Sequence, residues 1–408
     1  MLSLDKIYHA AFTLKDVARK TDLIKTTNLD FSADVYLKTE SLQRTGSFKL
    51  RGAYYKISTL SEKEKQAGII ACSAGNHAQG VALAARTMGI SCVICMPDGA
   101  PISKVEATKK LGADVVLVKG AYDDAYHHAM KLQTETGATF IHPFDDEAVI
   151  AGQGTIGLEI LDELSDVDAI VCPVGGGGLI SGVAYAVKNL NPHVKVYGVQ
   201  AEGAPSMYRS ILGGRAVTLD VVPTFADGIA VKTPGVETLK LVSEYVDEIV
   251  TVSEDEIAAS ILALMEKQKL VSEGAGAVAV AAMLFDKLPL NGKKVVCILS
   301  GGNIDVNILS RVITRGLVTS GRNATLQIAL EDKPGQLLGV SQIVTNCGGN
   351  VVSVHYSGSD PNMAINSCFL TLGLETRDFA QIETIKQALG KAGFQVVPIR
   401  DGTCCGGL

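Results

Sequence analysis

Four short segments carry residue types that could do chemistry. In the run Thr45-Gly46-Ser47-Phe48-Lys49-Leu50-Arg51-Gly52-Ala53 a lysine sits between two apolar residues, just before an apolar helical pattern. Desolvation lowers the pKa of a lysine, and the neutral amine can attack a carbonyl to form a Schiff base. The plainer alternative is a lysine facing water. The run Ser73-Ala74-Gly75-Asn76-His77-Ala78-Gln79-Gly80 joins a strand-like segment to a helical one. Such turns in open parallel sheets bind ligands, and their free N–H groups can hold an anion. Asn76 adds a neutral hydrogen bond; the alternative is a helix capped by Ser73, with Gly75 relieving strain. In Pro173-Val174-Gly175-Gly176-Gly177-Gly178-Leu179-Ile180-Ser181, consecutive glycines separate the strand AIVCP from the helix LISGVAYAVKNL. Without a Cβ the backbone can approach a ligand closely, and amides at a helix start form an anion cradle. A bare tight turn is the alternative. Finally, Ile298-Leu299-Ser300-Gly301-Gly302-Asn303 ends a strand in a hydroxyl and glycines, either at a ligand-facing strand end or at a simple turn. No GxxxxGK[ST] loop occurs, nor a clear GxGxxG with an acidic residue about 20 positions on, which argues against a nucleotide P-loop and against NAD. A lysine, an anion cradle, an amide and a hydroxyl are what a phosphorylated aldehyde needs, and pyridoxal phosphate is the candidate.

These segments need elements to position them. From about residue 65 to 310, continuous apolar strands such as GIIACSA, SCVICMP, ADVVLVKG, AIVCPVG, KVYGVQ and KKVVCILS alternate with helical patterns. Parallel sheets covered on both faces follow from that order. After VTSGRN (318–323) the order becomes strand, helix, strand, strand, helix, strand, the ferredoxin-like arrangement. The glycines outside the chemical motifs are read mostly as turn residues.

The chain has 408 residues, 42 glycines, no tryptophan and a net charge of −6. Apolar residues make up 47% and mean hydropathy is +0.24, which excludes a disordered chain. The pI near 5.7 argues against a dedicated nucleic-acid binder. No signal peptide and no membrane-spanning helix are expected, and a cytoplasmic location is. Most of the nine cysteines lie in apolar runs, as small hydrophobes do in a reducing compartment. Cys92 and Cys95 have redox-motif spacing but fall in a strand-like run rather than at a helix start. Cys404 and Cys405 fall in a glycine-rich tail.

SFKLRGA, SAGNHAQG, PVGGGGL and LSGGN, in this order and spacing, resemble the serine/threonine dehydratases of the tryptophan-synthase-β-like (fold type II) pyridoxal phosphate enzymes. PFDDEAVIAGQGTIGLEI and FADGIAVKTPG extend the resemblance over about residues 5 to 315. The tail, through Asp332-Lys333-Pro334-Gly335-Gln336-Leu337-Leu338, resembles an ACT domain. The resemblance implies an α/β fold of two open twisted lobes plus a ferredoxin-like βαββαβ domain. Residues 1–45 with 143–316 would form the large lobe, 46–142 the small lobe, 317–323 a linker and 324–408 the ACT domain. It also implies dehydration and deamination of L-threonine to 2-oxobutanoate and ammonia, and of L-serine to pyruvate, in a homo-oligomer (dimer or tetramer). Lys49 would bind the cofactor covalently and act as general base, with Phe48 beside it. Asn76 would bond the ring 3′-oxygen. Gly175, Gly176, Gly177, Gly178 and Leu179 would hold the phosphate, and Ser300 would face the pyridine nitrogen. Ser73, Gly75, Asn76 and His77 would receive the substrate carboxylate. Asp332, Pro334, Gly335, Gln336 and Leu337 would take an amino-acid effector, isoleucine or valine.

Two departures refine this. Similar serine racemases carry a second serine where this chain has Ala74, so racemisation lacks its opposite-face acid. A cation site found in some relatives would need Glu202 and an acid at position 208, which is Tyr208 here, so no metal is expected. Other readings are a different lyase or synthase of the same fold type, such as a serine dehydratase or a threonine-synthase-like enzyme, or a non-catalytic amino-acid sensor. The intact Lys49 argues against the sensor.

Overall fold

The computed structural model describes residues 1–358 and 364–399. Two compact units divide the chain, Met1–Ile308 and Leu309–Leu408. The first opens with α1 (Leu4–Leu14), β1 (Leu23–Lys25), β2 (Asp34–Lys38), α2 (Lys49–Ser58) and α3 (Glu62–Ala67). Strand–helix alternation follows: β3 (Ile69–Cys72), α4 (Asn76–Met88), β4 (Cys92–Pro97), α5 (Ile102–Lys110), β5 (Asp114–Val118), α6 (Tyr122–Thr136), β6 (Thr139–Phe140) and α7 (Glu147–Glu163). It continues through β7 (Ala169–Pro173), α8 (Gly178–Leu190), β8 (Lys195–Ala201), α9 (Ser206–Gly213), α10 (Val236–Tyr245), β9 (Glu248–Val252), α11 (Glu254–Ala263), α12 (Gly274–Leu284), β10 (Lys294–Ile298) and α13 (Val306–Thr319).

Two sheets result. The smaller has four parallel strands in the order β5-β4-β3-β6; the larger has six, β1-β2-β10-β7-β8-β9, parallel except for the β1–β2 pair. Strands β3 and β7 are buried along their whole length, which is why they read as unbroken apolar runs. Helix α12 is apolar all round, is buried from Gly274 to Met283, and packs against β7, β8, β9 and β10. Leu50, Ala53 and Ile57 on α2 join the core of the smaller sheet, together with Ile69, Ile94 and Met96. Cys92 and Cys95 lie on β4, and burial pushes the Cys92 thiol up to about 12, which makes it a poor nucleophile. Among the described residues no helix is long and apolar enough to cross a membrane, and no group of three metal-ligating side chains occurs.

Some glycines serve helix packing. Gly52, Gly152, Gly154 and Gly182 are not turn residues but lie inside helices α2, α7 and α8. A Cβ on Gly152 would stand 2.6 Å from the Arg51 carbonyl oxygen and the Gly52 Cα, and one on Gly182 would stand 2.3 Å from the Ile150 carbonyl oxygen. Helix α7 is thus clamped at near backbone contact between α2 and α8. Glycine inside a helix costs about 1 kcal/mol relative to alanine; the close packing of three helices offsets it.

The second unit contains β11 (Asn323–Glu331), α14 (Gln336–Asn346), β12 (Asn350–Ser357), β13 (Ser367–Glu375), α15 (Phe379–Lys391) and β14 (Gln395–Val397). Its antiparallel sheet runs β12-β13-β11-β14, and α14 and α15 close its core around Ile328, Val344, Leu370 and Ile385. Residues 317–323 do not form a separate linker: α13 continues to Thr319, a tight turn follows, and β11 begins at Asn323. The division between the units lies earlier, at Ile308/Leu309 inside α13. Cys404 and Cys405 lie outside the described residues.

Candidate active site

Two of the motifs are stitched together by backbone. Ser47 forms an isolated antiparallel bridge with Gly301; the Phe48 N–H donates to the Ser300 carbonyl at 3.1 Å, and the Gly302 N–H to that of Gly46 at 2.9 Å. This pairing sets Lys49 at the first turn of α2. Its ammonium donates to the Pro143 carbonyl at 3.0 Å and lies 5.2 Å from the Phe48 ring centroid. Burial lowers the Lys49 pKa to about 8, against a smaller opposing pull from Glu273.

Two residues on, Arg51 is 1% exposed and closes two bidentate pairs. It reaches Glu40 at 2.8 and 2.9 Å and Glu159 at 2.6 and 2.9 Å. Burial alone would raise the Glu40 carboxyl, but the Arg51 guanidinium holds it below its ordinary range. Lys38, fully buried, adds a 2.7 Å contact to Glu159. The cluster locks the lysine-bearing helix to β2 and α7 through a charge pairing that the motifs did not reveal.

The glycine run turns at Gly177, whose φ of 98° is open to glycine but strained for other residues, and enters α8 at Gly178. A Cβ on Gly176 would meet the Phe144 ring at 2.4 Å, so residues Pro143 and Phe144 link the lysine to this loop. The Gly176 carbonyl accepts from the Thr238 hydroxyl at 2.6 Å, and Asp145 caps α10 through the N–H groups of Val236, Glu237 and Thr238. Among the described residues no acceptor meets the N–H groups of Gly175, Gly176, Gly177, Gly178 or Leu179. Buried N–H groups are rarely left unpaired. Converging at a helix N-terminus, these suit an anionic oxygen.

Helix α4 repeats the pattern. Gly75 is its N-cap, and Ser73, rather than capping the helix, accepts the Gly75 N–H at 3.1 Å. The N–H groups of Asn76, His77 and Ala78 meet no acceptor among the described residues. Gly75 has an ordinary φ of −137°, and a Cβ there would meet nothing within 4 Å. Packing therefore does not call for glycine at this position. The His77 side chain does not belong to the site: it is buried, its Nε2 lies 2.8 Å from the Ile141 carbonyl, and burial drops its pKa to about 3. Its backbone N–H is the part left without an acceptor.

Asn76 is held at both ends. Its Oδ1 accepts from Asn303 at 2.8 Å, and Asn303 also donates to the Thr45 carbonyl at 2.8 Å. Its Nδ2 donates to Glu273 at 2.6 Å. Ser300, 3% exposed, has its hydroxyl 3.4 Å from the Ala275 carbonyl. Sequence reasoning missed Glu273, the cap residue of α12; the available signal was a lone carboxylate opening an otherwise apolar helix. Asp332, Pro334, Gly335, Gln336 and Leu337 lie at the β11–α14 turn of the second unit. Asp332 there accepts from the Tyr356 hydroxyl at 2.9 Å. Glu202 is exposed at the end of β8, and Tyr208 packs against the core of the larger sheet.

A desolvated amine beside unpaired N–H groups fits a phosphorylated aldehyde. Comparison with known proteins agrees. The model of the pyridoxal-phosphate dependent enzyme family matches residues 14–301. An L-threonine ammonia-lyase of Thermotoga maritima is 52% identical over 398 residues, covering 97% of this chain and 99% of the relative. Among solved structures, the processed form of threonine deaminase isoform 2 from Solanum lycopersicum is 40% identical with a TM-score of 0.72, covering 76% of this chain and 88% of its own. Maize serine racemase is 33% identical with a TM-score of 0.73, covering 78% and 98%. Family match, near-full-length identity and the fit of lysine and glycine loop to one cofactor converge: the chain belongs to the pyridoxal-phosphate-dependent enzyme family and is a lyase.

Proposed function

We propose that the chain converts L-threonine to 2-oxobutanoate and ammonia, and L-serine to pyruvate, by β-elimination. The observation that carries this reading is Lys49, a desolvated amine of pKa about 8 whose neighbours Pro143 and Phe144 lead to five unpaired N–H groups. Near-full-length identity to a relative named for threonine supports the substrate.

In this reading Lys49 binds the cofactor covalently, beside Phe48. The N–H groups of Gly175 to Leu179 bind its phosphate, Asn76 bonds its 3′-oxygen, and the Ser300 hydroxyl meets its ring nitrogen without enforcing protonation as a carboxylate would. The cofactor, when bound, supplies an electron sink for the Cα carbanion. The turn at Ser73 and Gly75 and the N–H groups of Asn76 and His77 orient the substrate carboxylate. Once the substrate amine takes its place on the cofactor, the freed Lys49 Nζ would take the Cα proton, a task suited to an amine whose pKa lies near the working pH, while the β-hydroxyl leaves with a proton as water and water later hydrolyses the product imine to release ammonia. Ala74 is packed against the small-lobe core and has no proton to give from the opposite face, which favours elimination over racemisation.

The second unit is read as an ACT domain that tunes the enzyme in response to isoleucine or valine. The support is its strand order and the turn at Gly335 (φ 91°), where the first N–H groups of α14 can take a carboxylate. We further propose a cytoplasmic homo-oligomer, a dimer or tetramer. The test is keto-acid formation from threonine and from serine, each with and without isoleucine or valine. Turnover of threonine by a Lys49→Ala variant would refute the lysine assignment. No response to either effector would reject the regulatory reading for those ligands.

A further inference from the structure

We infer that Glu273 is a positioning residue that fixes which way round the Asn76 amide meets the cofactor. The inference rests on the reading that Asn76 contacts the cofactor. An amide has two chemically different ends, and the useful end for an anionic ring oxygen is the NH2 group. Asn303 donates to Asn76 Oδ1, so that oxygen is engaged. Glu273 accepts one Nδ2 hydrogen at 2.6 Å, which leaves the other free to donate. A flipped amide would set its oxygen against a carboxylate and its NH2 against the Asn303 donor, losing both bonds.

The geometry around Glu273 is built for this role. Its residue is 3% exposed, and its side chain makes no bond to its own helix start. Its N–H donates to the Gly301 carbonyl at 3.1 Å. A Cβ on Gly301 would strike its Oε1 at 2.3 Å, and one on Gly228 would lie 3.2 Å away, so glycines on two segments keep space for the carboxylate. The charged groups facing it are Asp227 from a 3-10 turn (Asp227–Ile229), Lys104 from α5 and Lys49 from α2. Burial first, and Asp227 second, raise its pKa to about 7, while the Asn76 bond and the two lysines pull the other way. The grip on Asn76 therefore strengthens as pH rises through about 7, when the carboxylate forms.

The test uses full-length protein stripped of cofactor and titrated with pyridoxal phosphate by equilibrium dialysis from pH 6 to 8.5, with the visible absorbance of the bound cofactor recorded. Glu273→Leu should weaken binding about tenfold and shift the absorbance band, since it removes a charge-assisted bond. Glu273→Gln keeps an acceptor and should restore most of the affinity, while the inflection near pH 7 disappears from its binding curve. Wild-type affinity, band and pH profile in folded Glu273→Leu would overturn the inference. If that variant does not fold, a Glu273→Gln protein that retains the wild-type inflection near pH 7 overturns it instead. Asn76→Ala separates the two readings. An unchanged cofactor band there overturns the assignment of Asn76 and this inference with it. A changed band in Asn76→Ala beside an unchanged one in Glu273→Leu overturns this inference alone.

Discussion

Lys49 should capture a carbonyl at a pH where ordinary lysines cannot. Its amine is desolvated beside Phe48 and Pro143, and its pKa falls from 10.5 to about 8. At pH 7 about 9% of such a group is neutral, against about 0.03% of an unperturbed lysine, so the reactive fraction rises about 300-fold. Cofactor-free protein mixed with pyridoxal phosphate in a stopped-flow instrument reports this as the growth of visible absorbance. The second-order rate should climb with pH and level off above a midpoint near 8. Glu273 stabilises the charged ammonium from nearby, so Glu273→Gln should move that midpoint down. A midpoint at or above that of free lysine, or a variant midpoint that moves up, would refute the reasoning from burial.

Other outcomes follow from the packing around that amine. Arg51→Met strands Glu40 without its bidentate partner, leaves Glu159 to Lys38 alone, and should cost about 3–5 kcal/mol in denaturant melts at pH 8. Arg51 holds Glu40 below its ordinary range, so the pair's stabilisation is present above the unfolded carboxylate pKa and is lost as pH falls through the folded value. The gap to wild type should thus narrow only as pH falls below about 4.5, and a gap below about 1 kcal/mol at pH 8 would contradict a buried pair. Gly75→Ala should melt within about 0.5 kcal/mol of wild type, because its Cβ meets nothing. If the proposed substrate site at α4 is right, its turnover of threonine should nonetheless fall about 100-fold through the intruding methyl; full activity would move the substrate away from α4. Gly152→Ala forces α2 off α7 and should cost about 1–3 kcal/mol, with slower cofactor capture by Lys49 in the same stopped-flow assay. Unchanged stability would show that the helices can part freely.

The sequence by itself determined the local chemistry. Lysine between Phe48 and Leu50, glycines between an apolar strand and a helix, and a hydroxyl at a strand end are patterns read over a few residues, because desolvation, backbone freedom and strand burial leave marks in neighbouring positions. The alternating strands and helices of both units were legible for the same reason. Tertiary structure decided what no local pattern encodes. Glu273 meets Asn76 across 197 positions of chain, and Arg51 meets Glu159 across 108. Nothing in the residues beside them specifies those partners. The same holds for His77, whose side chain turns to the Ile141 carbonyl 64 positions away. Gly52 and Gly152 look like helix defects until two helices cross on them. A buried polar group or a missing Cβ takes its meaning from whatever chain arrives opposite, and only the folded molecule brings that chain there.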